Sequence, residues 1–456
     1  MEPAIDSVDP LPALCSSTSV DPLMVPLPES IASLVLSKFD TLPQKCKPRT
    51  LPDGKREWTP MSAVVLAKSG HDSQLTCVSL ATGTKCLPSS AMVKCQGMVL
   101  HDSHAEVLAL RGLNCWLLSE AKAVLSDPTF RSPFLELDVS EPSDADPNLS
   151  PSASPPLRLR RQVSIHFFTT EAPCGDASME ILMRSMGPDE TEPWPVEETA
   201  LVNLQGRGHF SLLGYVRRKP ARADADPSHS KSCTDKLTVK QFTSALSFPT
   251  DLFIQRTDNA YIRNLIVYRD QFDSTGYERA FGQVGRLSNV CHLDHLFRVD
   301  PLPEGFPRFM YDRTCIDSDQ KGKAKVTNIS ALCIRGSGAA TADAIEVLMN
   351  GVKSGFKQWD LRPAKASIVS RYRLWQLAHS VLDLIRDGGS LDCSHRQAWA
   401  NDLYQSLSAE TYAAAKSTHL RADQITLKNN ITAAFGNWAK NDGDYVWSCR
   451  EAQTST

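Results

Sequence analysis

The stretch His101–Gly112, HDSHAEVLALRG, places His104 and Glu106 two residues apart at the start of an apolar run. Imidazole is a common zinc ligand, and a nearby carboxylate that does not bind the metal can transfer a proton. The same pair also occurs as exposed residues at the start of an ordinary helix. The pattern therefore indicates a metal site only if further ligands accompany it.

A second candidate ligand is Cys174, in the stretch APCGDAS. It follows an apolar run typical of a buried strand, and we expect it to open a helix. A thiol at a helix N-terminus has a lowered pKa, which favours the thiolate that zinc binds. The alternative is a small cysteine buried in the core.

The third ligand is less evident from spacing. Zinc enzymes that deaminate nucleobases carry H-x-E followed by P-C-x-x-C, with the glutamate as general acid and base. Here the position three after Cys174 is Ala177, so another cysteine must serve. Cys233, in KSCTDKLTVKQ at the start of a helical pattern, is the best candidate. The stretch CHLDH, Cys291 to His295, also contains ligand types, but no cysteine pair accompanies it and we interpret it as a loop.

The elements around these residues alternate between strand and helix patterns. Ser30 is expected to cap a helix whose Ile31, Leu34 and Val35 share one face. The runs SAVVLAK and LTCVSLATGTKC predict a strand pair before His101. A helix is expected from His104 to about Val124. These patterns predict an α/β fold with a mixed central sheet and the two metal-bearing helices on one face.

Later segments complete the predicted architecture. Asn350-Gly351 between apolar stretches predicts a type I′ hairpin turn. From about Pro363 to Trp438 the pattern is mainly helical, which predicts a C-terminal helical portion. Residues 1–28 are rich in Pro and Ser and are expected to be a disordered tail. A Ser/Pro-rich segment near 139–161 and a basic polar segment near 217–231 are expected to be solvated insertions.

Composition limits the possible classes. The 456 residues are 41% hydrophobic with a net charge of −3, which is enough chain for one large or two ordinary globular domains. No apolar run is long enough for a membrane helix, and the N-terminus has neither a secretory nor a transit pattern. Thirteen scattered cysteines indicate reduced thiols and a location in the cytoplasm or nucleus.

Three motifs in this order, HAEVLALRG, PCGDAS and SCTDKLTVKQ, resemble those of the adenosine deaminase (editase) domain shared by double-stranded-RNA editing enzymes and tRNA-specific adenosine deaminases. LATGTKCL, YERAFG and EVLMNGVKSG add to the likeness, and no double-stranded-RNA-binding domain precedes the first motif. The likeness is strongest to the eukaryotic tRNA-specific type 1 enzymes. It implies a single domain over residues 29–452 with a cytidine-deaminase-like sheet.

The resemblance also implies roles for particular residues. His104, Cys174 and Cys233 would bind Zn²⁺, Glu106 would shuttle protons, and Thr84 and Lys85 would contact the sugar and phosphate of the target nucleotide. The family holds inositol hexakisphosphate inside the domain. The positions that match its ligands are Arg111, Lys236, Lys240, Tyr412, Lys416, Lys428 and Trp438. Each position also has an alternative interpretation in which it binds no anion, since a lone lysine on a helix is usually a solvated residue.

By resemblance, the expected activity is hydrolysis of adenosine to inosine in tRNA, at the adenosine immediately 3′ of the anticodon of alanine tRNA. RRKPAR, from Arg217 to Arg222, is a possible basic patch for the RNA. An alternative is a catalytically silent protein that binds RNA or inositol phosphate through the same fold. A free-nucleoside or cytidine deaminase would carry the compact P-C-x-x-C pair, which is absent here. Neither a membrane nor an obligate protein partner is indicated.

Overall fold

The computed structural model describes residues 27–52, 54, 56–70, 73–138, 155–186, 204, 206, 212–219, 226–290, 294–315, 325–338, 342–387, 394–436, 438 and 443–448. The helices in these ranges are α1 (Leu27–Asp40), α2 (Ala105–Ser126), α3 (Met179–Ser185), α4 (Cys233–Thr243), α5 (Ser274–Phe281), α6 (Arg371–Asp387), α7 (Ser394–Leu407), α8 (Tyr412–Lys416) and α9 (Ala422–Ala434).

The strands in the same ranges are β1 (Glu57–Trp58), β2 (Met61–Lys68), β3 (Gln74–Thr82), β4 (Thr84–Cys86), β5 (Asp102–His104), β6 (Leu135–Leu137), β7 (Leu157–Leu159), β8 (Val163–Thr169), β9 (Ile262–Val267), β10 (Arg298–Pro301), β11 (Lys325–Val326), β12 (Ser330–Ile334), β13 (Ala344–Met349) and β14 (Val352–Lys353).

Eight of these strands form a central mixed sheet in the order β10-β9-β8-β2-β3-β12-β13-β14. The pairs β8–β9 and β9–β10 are parallel, and the remaining neighbours are antiparallel. The β2–β3 pair confirms the strand pair predicted before His101. The mixed sheet with its helices confirms the predicted α/β class.

Alternation along β2 shows how the sheet separates two cores. Val64 and Leu66 join the large apolar cluster beneath α2, whereas Ala63 and Val65 join a second cluster beneath α1. Successive strand residues point to opposite faces, so a strand covered on both sides is apolar throughout. The helix that carries His104 and Glu106 therefore packs on one face, and α1 closes the other.

Helix α2 begins immediately after His104, its N-cap residue, and ends at Ser126. The predicted helix is confirmed and extends two residues beyond Val124. Most of its residues are buried, because the sheet lies on one side and α6 packs on the other. Asp127 leaves the helical conformation, and Pro128 follows, which has no amide hydrogen to continue the helix. The long buried helix fixes the first motif rigidly on the sheet.

The predicted C-terminal helical portion is confirmed by α6 to α9. Helix α6 packs on α2, and α9 packs on α4. The predicted hairpin turn is also confirmed: β13 pairs with β14, and Asn350 and Gly351 have φ of 52° and 81° between them. Positive φ at both central residues is what a type I′ turn requires.

Three boundaries differ from the sequence predictions. Helix α1 begins at Leu27, so Ser30 lies within its first turn and does not cap it. The rest of the predicted tail, residues 1–26, lies outside the described residues. Of the predicted insertion at 139–161, residues 139–154 also lie outside them, while Leu157–Leu159 pairs with β6 and belongs to the fold. A strand of only three residues gives too little periodicity to be recognised in a polar segment.

The segment 217–231 differs more strongly from its prediction. Residues 220–225 lie outside the described part of the chain, but the flanking residues Arg217, Lys219, Ser230 and Lys231 are buried. Their charges led the sequence analysis to place them in solvent. Lys219 and Ser230 contact the distant carboxylate of Asp102, and the Arg217 side chain donates to backbone carbonyls, so these residues are part of the interior and not of a basic surface patch.

Two further expectations concern cysteines and membrane helices. The nine cysteines within the described residues are all free thiols. None of the helices described above has both the length and the apolar character needed to cross a bilayer.

Candidate active site

The first motif enters the site through a short strand pair. Strand β4 pairs with β5 so that Thr84 lies opposite His104 and Lys85 lies opposite Ser103. Gly83 directly precedes β4, and its carbonyl accepts a hydrogen bond from the backbone amide of Ala105. The two residues expected to contact a substrate therefore lie beside the first candidate metal ligand.

Asp102 orients the His104 ring. Oδ1 of Asp102 lies 2.9 Å from Nδ1 of His104 and also accepts from the His104 backbone amide at 3.0 Å. Because Nδ1 is held by this carboxylate, Nε2 is the nitrogen left to bind a metal. A carboxylate behind a metal-binding histidine commonly fixes the ring orientation and tautomer in this way.

The second oxygen of Asp102 collects three donors. Nζ of Lys219 lies 2.8 Å from Oδ2, Oγ of Ser230 donates at 2.5 Å, and Nζ of Lys236 donates as well. Burial alone would raise the pKa of Asp102, but Lys219, Lys236 and His104 hold it well below its usual value. Asp102 therefore stays ionised in the interior, where Lys219, Lys236 and, when it is protonated, His104 balance its charge.

The structure brings Cys174 and Cys233 together although 59 residues separate them. Helix α4 begins at Cys233, and the Cys233 backbone amide donates to Sγ of Cys174 at 3.4 Å. The Thr234 backbone amide donates to the Cys174 carbonyl at 3.0 Å. Gly175 permits this approach, because its φ is +118° and a Cβ there would lie 2.2 Å from Oγ of Ser232.

The charge distribution favours a thiolate at Cys174. A hydrogen bond from Cys233, followed by Lys219 and His104, holds the pKa of Cys174 well below its usual value despite burial. Burial and the neighbouring Cys174 charge raise the pKa of Cys233. Nζ of Lys219 lies 3.3 Å from Sγ of Cys233, so a second negative charge there would also have a partner.

The source of the helix dipole at Cys174 differs from the sequence prediction. Cys174 was expected to open its own helix, but α3 begins only at Met179, after a short 3₁₀ turn over Asp176–Ser178. The amide that reaches its sulfur belongs instead to the N-terminus of α4. The favourable interaction is therefore present but comes from the element that carries Cys233.

Cys174 thus lies between His104 and Cys233 and contacts both. His104 hydrogen-bonds the Cys174 sulfur, and Cys174 hydrogen-bonds the Cys233 sulfur. Burial and Lys219 oppose protonation of His104, but Asp102 and Cys174 raise its pKa to about 9. One imidazole and two thiols with a stabilised thiolate form a donor set that suits zinc.

Glu106 lies in the first turn of α2 and is only 6% exposed. Burial, and then the charge of Cys174, raise the pKa of the Glu106 carboxyl above its ordinary value. A carboxyl shifted in this direction both accepts and donates a proton more readily near neutral pH. Its position beside the ligand set therefore suits general acid and base chemistry.

Two buried aspartates, each two residues after a candidate ligand cysteine, hold the turn after Cys174 and the start of α4 in place. Asp176 accepts from Nε of Arg279 at 3.0 Å, and Asp235 accepts from Nη1 of Arg286 at 2.5 Å. Oδ2 of Asp235 also accepts from the Arg217 backbone amide at 3.0 Å. Each cysteine motif thus carries its own anchor to a distant arginine.

A second grouping of ligand types joins Cys95, His101 and Asp444, whose ligand atoms lie within 4.8 Å of one another. Asp444 is already engaged by Nη1 of Arg371 at 3.0 Å, the Gly97 amide at 2.8 Å and Nε2 of His101 at 2.7 Å. Burial and the Asp444 charge raise the pKa of Cys95 to about 12, so it remains a thiol. We interpret this grouping as a hydrogen-bond network in which Arg371 is the cation.

Behind α2 lies a recess lined by cations from five helices and one turn. Its six cationic residues, which we call the cation cluster, are Arg111, Lys240, Arg371, Lys416, Arg421 and Lys428. Within the described residues, the carboxylates paired with this cluster are Asp251, on Arg421, and Asp444, on Arg371. The cluster therefore carries a large excess of positive charge.

Mutual repulsion is visible in the pKa values of the cation cluster. Burial, followed by neighbouring cations, lowers the pKa of Lys240 to about 7 and that of Lys416 well below its usual value. The pKa of Lys428 is lowered by the same causes, although this residue keeps substantial solvent-accessible area. Burial and like charge both disfavour the charged form of these lysines, so an anion among them would be strongly attracted.

Aromatic rings complete the wall of this recess. Tyr412 stacks on Trp447 with ring centres 4.7 Å apart, and Nζ of Lys416 lies 4.7 Å from the centre of the Tyr445 ring. Of the seven residues expected to bind inositol phosphate, Arg111, Lys240, Tyr412, Lys416 and Lys428 are brought together here. Lys236 lies instead against Asp102, and Trp438 packs beside Phe435 with Lys231 over its ring.

Sequence reasoning missed several residues of both sites. Asp102 and Lys219 of the metal site, and Arg371, Arg421 and Tyr445 of the recess, were not singled out. Asp102 lies within the quoted first motif, two residues before His104, and that spacing could have indicated an orienting carboxylate. Lys219 gave no such signal, because its segment resembles a polar insertion. Of CHLDH, residues 291–293 lie outside the described part of the chain, and His295 stacks on Tyr261 at 3.7 Å.

Comparison with known proteins agrees with this geometry. The sequence profile of the adenosine-deaminase (editase) domain matches residues 79–442. The chain is 33% identical over 357 residues to tRNA-specific adenosine deaminase 1 of Schizosaccharomyces pombe, covering 77% of this chain and 84% of that protein. It is 29% identical over 364 residues to tRNA-specific adenosine deaminase 1 of Saccharomyces cerevisiae, covering 77% of this chain and 82% of that protein. The chain therefore belongs to the adenosine-deaminase (editase) domain family.

Proposed function

We propose that this chain is a zinc-dependent enzyme that converts an adenosine of tRNA to inosine. Its family membership, and the names of the two yeast relatives, support the reaction and the class of RNA. The observation that carries the proposal is the convergence of His104, Cys174 and Cys233 beside the buried carboxyl of Glu106. A buried carboxyl beside nitrogen and sulfur ligands of a metal can transfer the protons that a hydrolysis requires.

His104 Nε2 and the sulfurs of Cys174 and Cys233 would hold the zinc ion. Zinc bound there would supply a Lewis acid that lowers the pKa of a water molecule toward neutrality. Asp102 keeps the His104 ring in the orientation that presents Nε2 to the metal. Lys219, between Asp102 and Cys233, keeps the charges of the carboxylate and the second thiolate balanced.

Glu106 moves the protons of the reaction. It accepts a proton from the attacking water and delivers it to N1 of the adenine ring while C6 becomes tetrahedral. The carboxylate then takes the proton of the new C6 hydroxyl and delivers it to the amino group, which leaves as ammonia as the C6 carbonyl of inosine forms. The raised pKa of Glu106 assists both directions of this transfer, because the proton is neither lost too easily nor held too tightly.

Thr84 and Lys85 would contact the sugar and phosphate of the target nucleotide. Their support is position, since both lie on the strand that pairs with His104. A base within a folded RNA must be unstacked before it can enter such a pocket, which costs least in a loop. We therefore infer a target in a tRNA loop, and the family resemblance implies that it is the adenosine 3′ of the anticodon of alanine tRNA.

We also propose that the cation cluster binds inositol hexakisphosphate. A cluster of six cations, in which burial and neighbouring cations lower the pKa values of Lys240, Lys416 and Lys428, fits a compact, highly charged anion, since an unpaired buried charge is very costly. Within this cluster, Arg111 belongs to α2 and Lys240 to α4, the helices that carry the metal ligands. The anion would thus tie the C-terminal helices to both motifs.

A catalytically silent protein with the same fold is the alternative. A metal site that only stabilises a fold has no need of a buried carboxyl with a raised pKa beside its ligands. Glu106 therefore favours the enzyme.

The substrate is tested by incubating the zinc-loaded protein with unmodified alanine tRNA and sequencing the product, where inosine reads as guanosine. We expect conversion at the single adenosine 3′ of the anticodon. Conversion of free adenosine in place of the tRNA, or of neither, would refute the substrate assignment.

A further inference from the structure

A surface at β13, β14 and the loop that follows them combines aromatic rings with cations. We call it the aromatic–basic patch and define it by Lys45, Arg49, Lys94, Lys353, Phe356 and Trp359. Four of these residues line one open groove. The other two, Lys94 and Trp359, contact each other, and Trp359 follows the groove residue Phe356 by three positions. None of these six residues belongs to the candidate metal site or to the cation cluster.

Two large rings are presented to solvent in this patch. Phe356 is 47% exposed and Trp359 is 44% exposed, and both lie in the loop that follows β14. Nζ of Lys94 lies 5.9 Å from the centre of the Trp359 ring, and Nζ of Lys365 lies 5.3 Å from the centre of the Phe356 ring. Each ring therefore keeps solvent-accessible surface and also has a lysine ammonium next to it.

The groove has a volume of about 550 Å³ and is lined by Lys45, Arg49, Lys353 and Phe356, with Ile329 and Val347 among its apolar walls. Its one acid, Glu346, is already engaged: it accepts from Oγ of Ser367 at 2.7 Å and lies 3.4 Å from Nζ of Lys353. Within the described ranges, no carboxylate lies in ion-pair contact with the side chains of Lys45, Arg49 or Lys94. The groove is thus electropositive and open.

The patch is built onto the segment that leads into the metal site. The Gly351 carbonyl of the type I′ turn accepts from the Leu100 amide at 2.9 Å, four residues before His104. Beneath the patch, Leu87, Met92, Val99 and Val352 form a small apolar cluster. Leu87 directly follows β4, the strand of Thr84 and Lys85. One short piece of chain therefore connects the patch to the residues beside His104.

We propose that the aromatic–basic patch binds an unpaired segment of the tRNA that flanks the target nucleotide, an inference that rests on the function proposed above. Phosphates match the cations that lack acidic partners, and unpaired bases match rings that are open for stacking. A paired stem would leave the rings unused, because its bases are already stacked. An acidic peptide would match the charges but gives no reason for two exposed rings.

Removing the rings tests this proposal in the full-length, zinc-loaded protein. The Phe356→Ala and Trp359→Ala variants should each bind an unmodified tRNA transcript about tenfold more weakly, because base stacking on one aromatic side chain is worth roughly that factor or more. The control is Tyr404→Ala. Tyr404 is also 44% exposed and also has a cation over its ring, Arg386 at 4.5 Å, but it lies on α7 outside the patch. This control should bind tRNA like the wild type.

Removing the cations gives a second, independent measurement. Lys45→Ala and Lys94→Ala should each lower the slope of log Kd against log salt concentration by about 0.7 to 0.9, the change expected for one phosphate contact. A 20-base-pair RNA duplex used as the probe should show no loss of affinity with the ring variants. Loss of duplex binding equal to loss of tRNA binding would refute stacking on unpaired bases.

The failure of this inference is distinguishable from failure of the proposed function. If ring and lysine variants bind and deaminate tRNA with wild-type constants, the patch has no role in RNA binding while the enzyme assignment stands. If the wild type forms no inosine but the variants still lose tRNA affinity, the patch stands and the enzyme assignment falls. Because all four side chains are replaced at the surface, unchanged melting temperatures will show that the variants are folded.

Discussion

At the scale of single residues, Asp102 connects the chemistry of the site with its electrostatics. One oxygen holds the His104 ring and the other holds Lys219, Lys236 and Ser230. Lys219 in turn reaches Sγ of Cys233. A carboxylate with lowered pKa in this position keeps the imidazole aligned and keeps a buried lysine charged, so the proposed metal binding and the charge balance would depend on the same group.

Replacement of Glu106 separates catalysis from metal binding. The Glu106→Ala variant should lose about 10² to 10⁴ in kcat, the usual contribution of a positioned acid and base. Its zinc content and its Kd for tRNA should match the wild type, because the carboxyl is not a ligand. Single-turnover inosine formation together with metal analysis measures both. A variant that loses zinc along with activity would mean that Glu106 is a ligand.

Replacement of Asp102 affects the metal instead. The Asp102→Asn variant should bind zinc about 10- to 100-fold more weakly, because the His104 ring loses its anionic partner. Competition with a chromogenic chelator gives the affinity. Asp127→Asn, which alters an exposed carboxylate just after α2, is the control and should leave zinc affinity unchanged. Unaltered affinity in Asp102→Asn would show that the ring orientation does not depend on this contact.

The residues that the sequence could predict are those marked by local spacing. His104 and Glu106 lie two apart at a helix start, and Cys174 and Cys233 stand in short recognisable stretches. Lys219 could not be predicted, because its burial depends on Asp102, 117 residues away, and on the path of a segment that looks solvated. Arg371 and Arg421 are missed for the same reason, since only the packed C-terminal helices show that they face the recess.

At the scale of elements, the type I′ turn positions both the patch and the first motif. Sequence predicted this turn because Asn-Gly is a local signal. The origin of the helix dipole at Cys174 could not be predicted, because the amide comes from α4, which is brought to the site by tertiary packing.

Gly351 tests the importance of that turn. Its φ is +81°, and a Cβ there would lie 2.5 Å from the Leu100 carbonyl oxygen. Gly351→Ala should therefore lower the free energy of unfolding by more than the roughly 1 kcal/mol that positive φ alone costs. Gly305→Ala is the matched control, since Gly305 has a φ of +78° with open space around its Cβ position. Urea unfolding compares them, and equal losses would contradict a close contact at Leu100.

At the scale of the whole molecule, the cation cluster joins parts of the chain that are far apart in sequence. Arg111 comes from α2, Lys240 from α4, Arg371 from α6 and Lys416 from α8. Without an anion these charges repel one another across the junction between the sheet and the C-terminal helices. The proposed polyanion would replace that repulsion with attraction and so stabilise the junction.

The pH dependence of stability should show this reversal. In anion-free protein the pKa of Lys240 is about 7, below the value of about 10.4 in an unfolded chain, so the unfolded state binds more protons between these values. The free energy of unfolding should therefore rise as pH increases from about 7 to about 10, and be lowest below pH 7. With inositol hexakisphosphate bound, Lys240 stays charged and this rise should disappear. Thermal melts at several pH values, with and without the anion, measure the difference, and identical profiles would contradict an anion site at Lys240.

The central claim is that His104, Cys174 and Cys233 together hold the zinc ion at which adenosine in tRNA is deaminated. The most direct measurement is inosine formation in alanine tRNA by chelator-stripped protein as zinc is added back. We predict that activity returns in proportion to zinc, reaches its maximum at one ion per chain, and does not return in Cys233→Ala. Equal inosine formation by stripped protein, or full recovery by Cys233→Ala, would contradict the account.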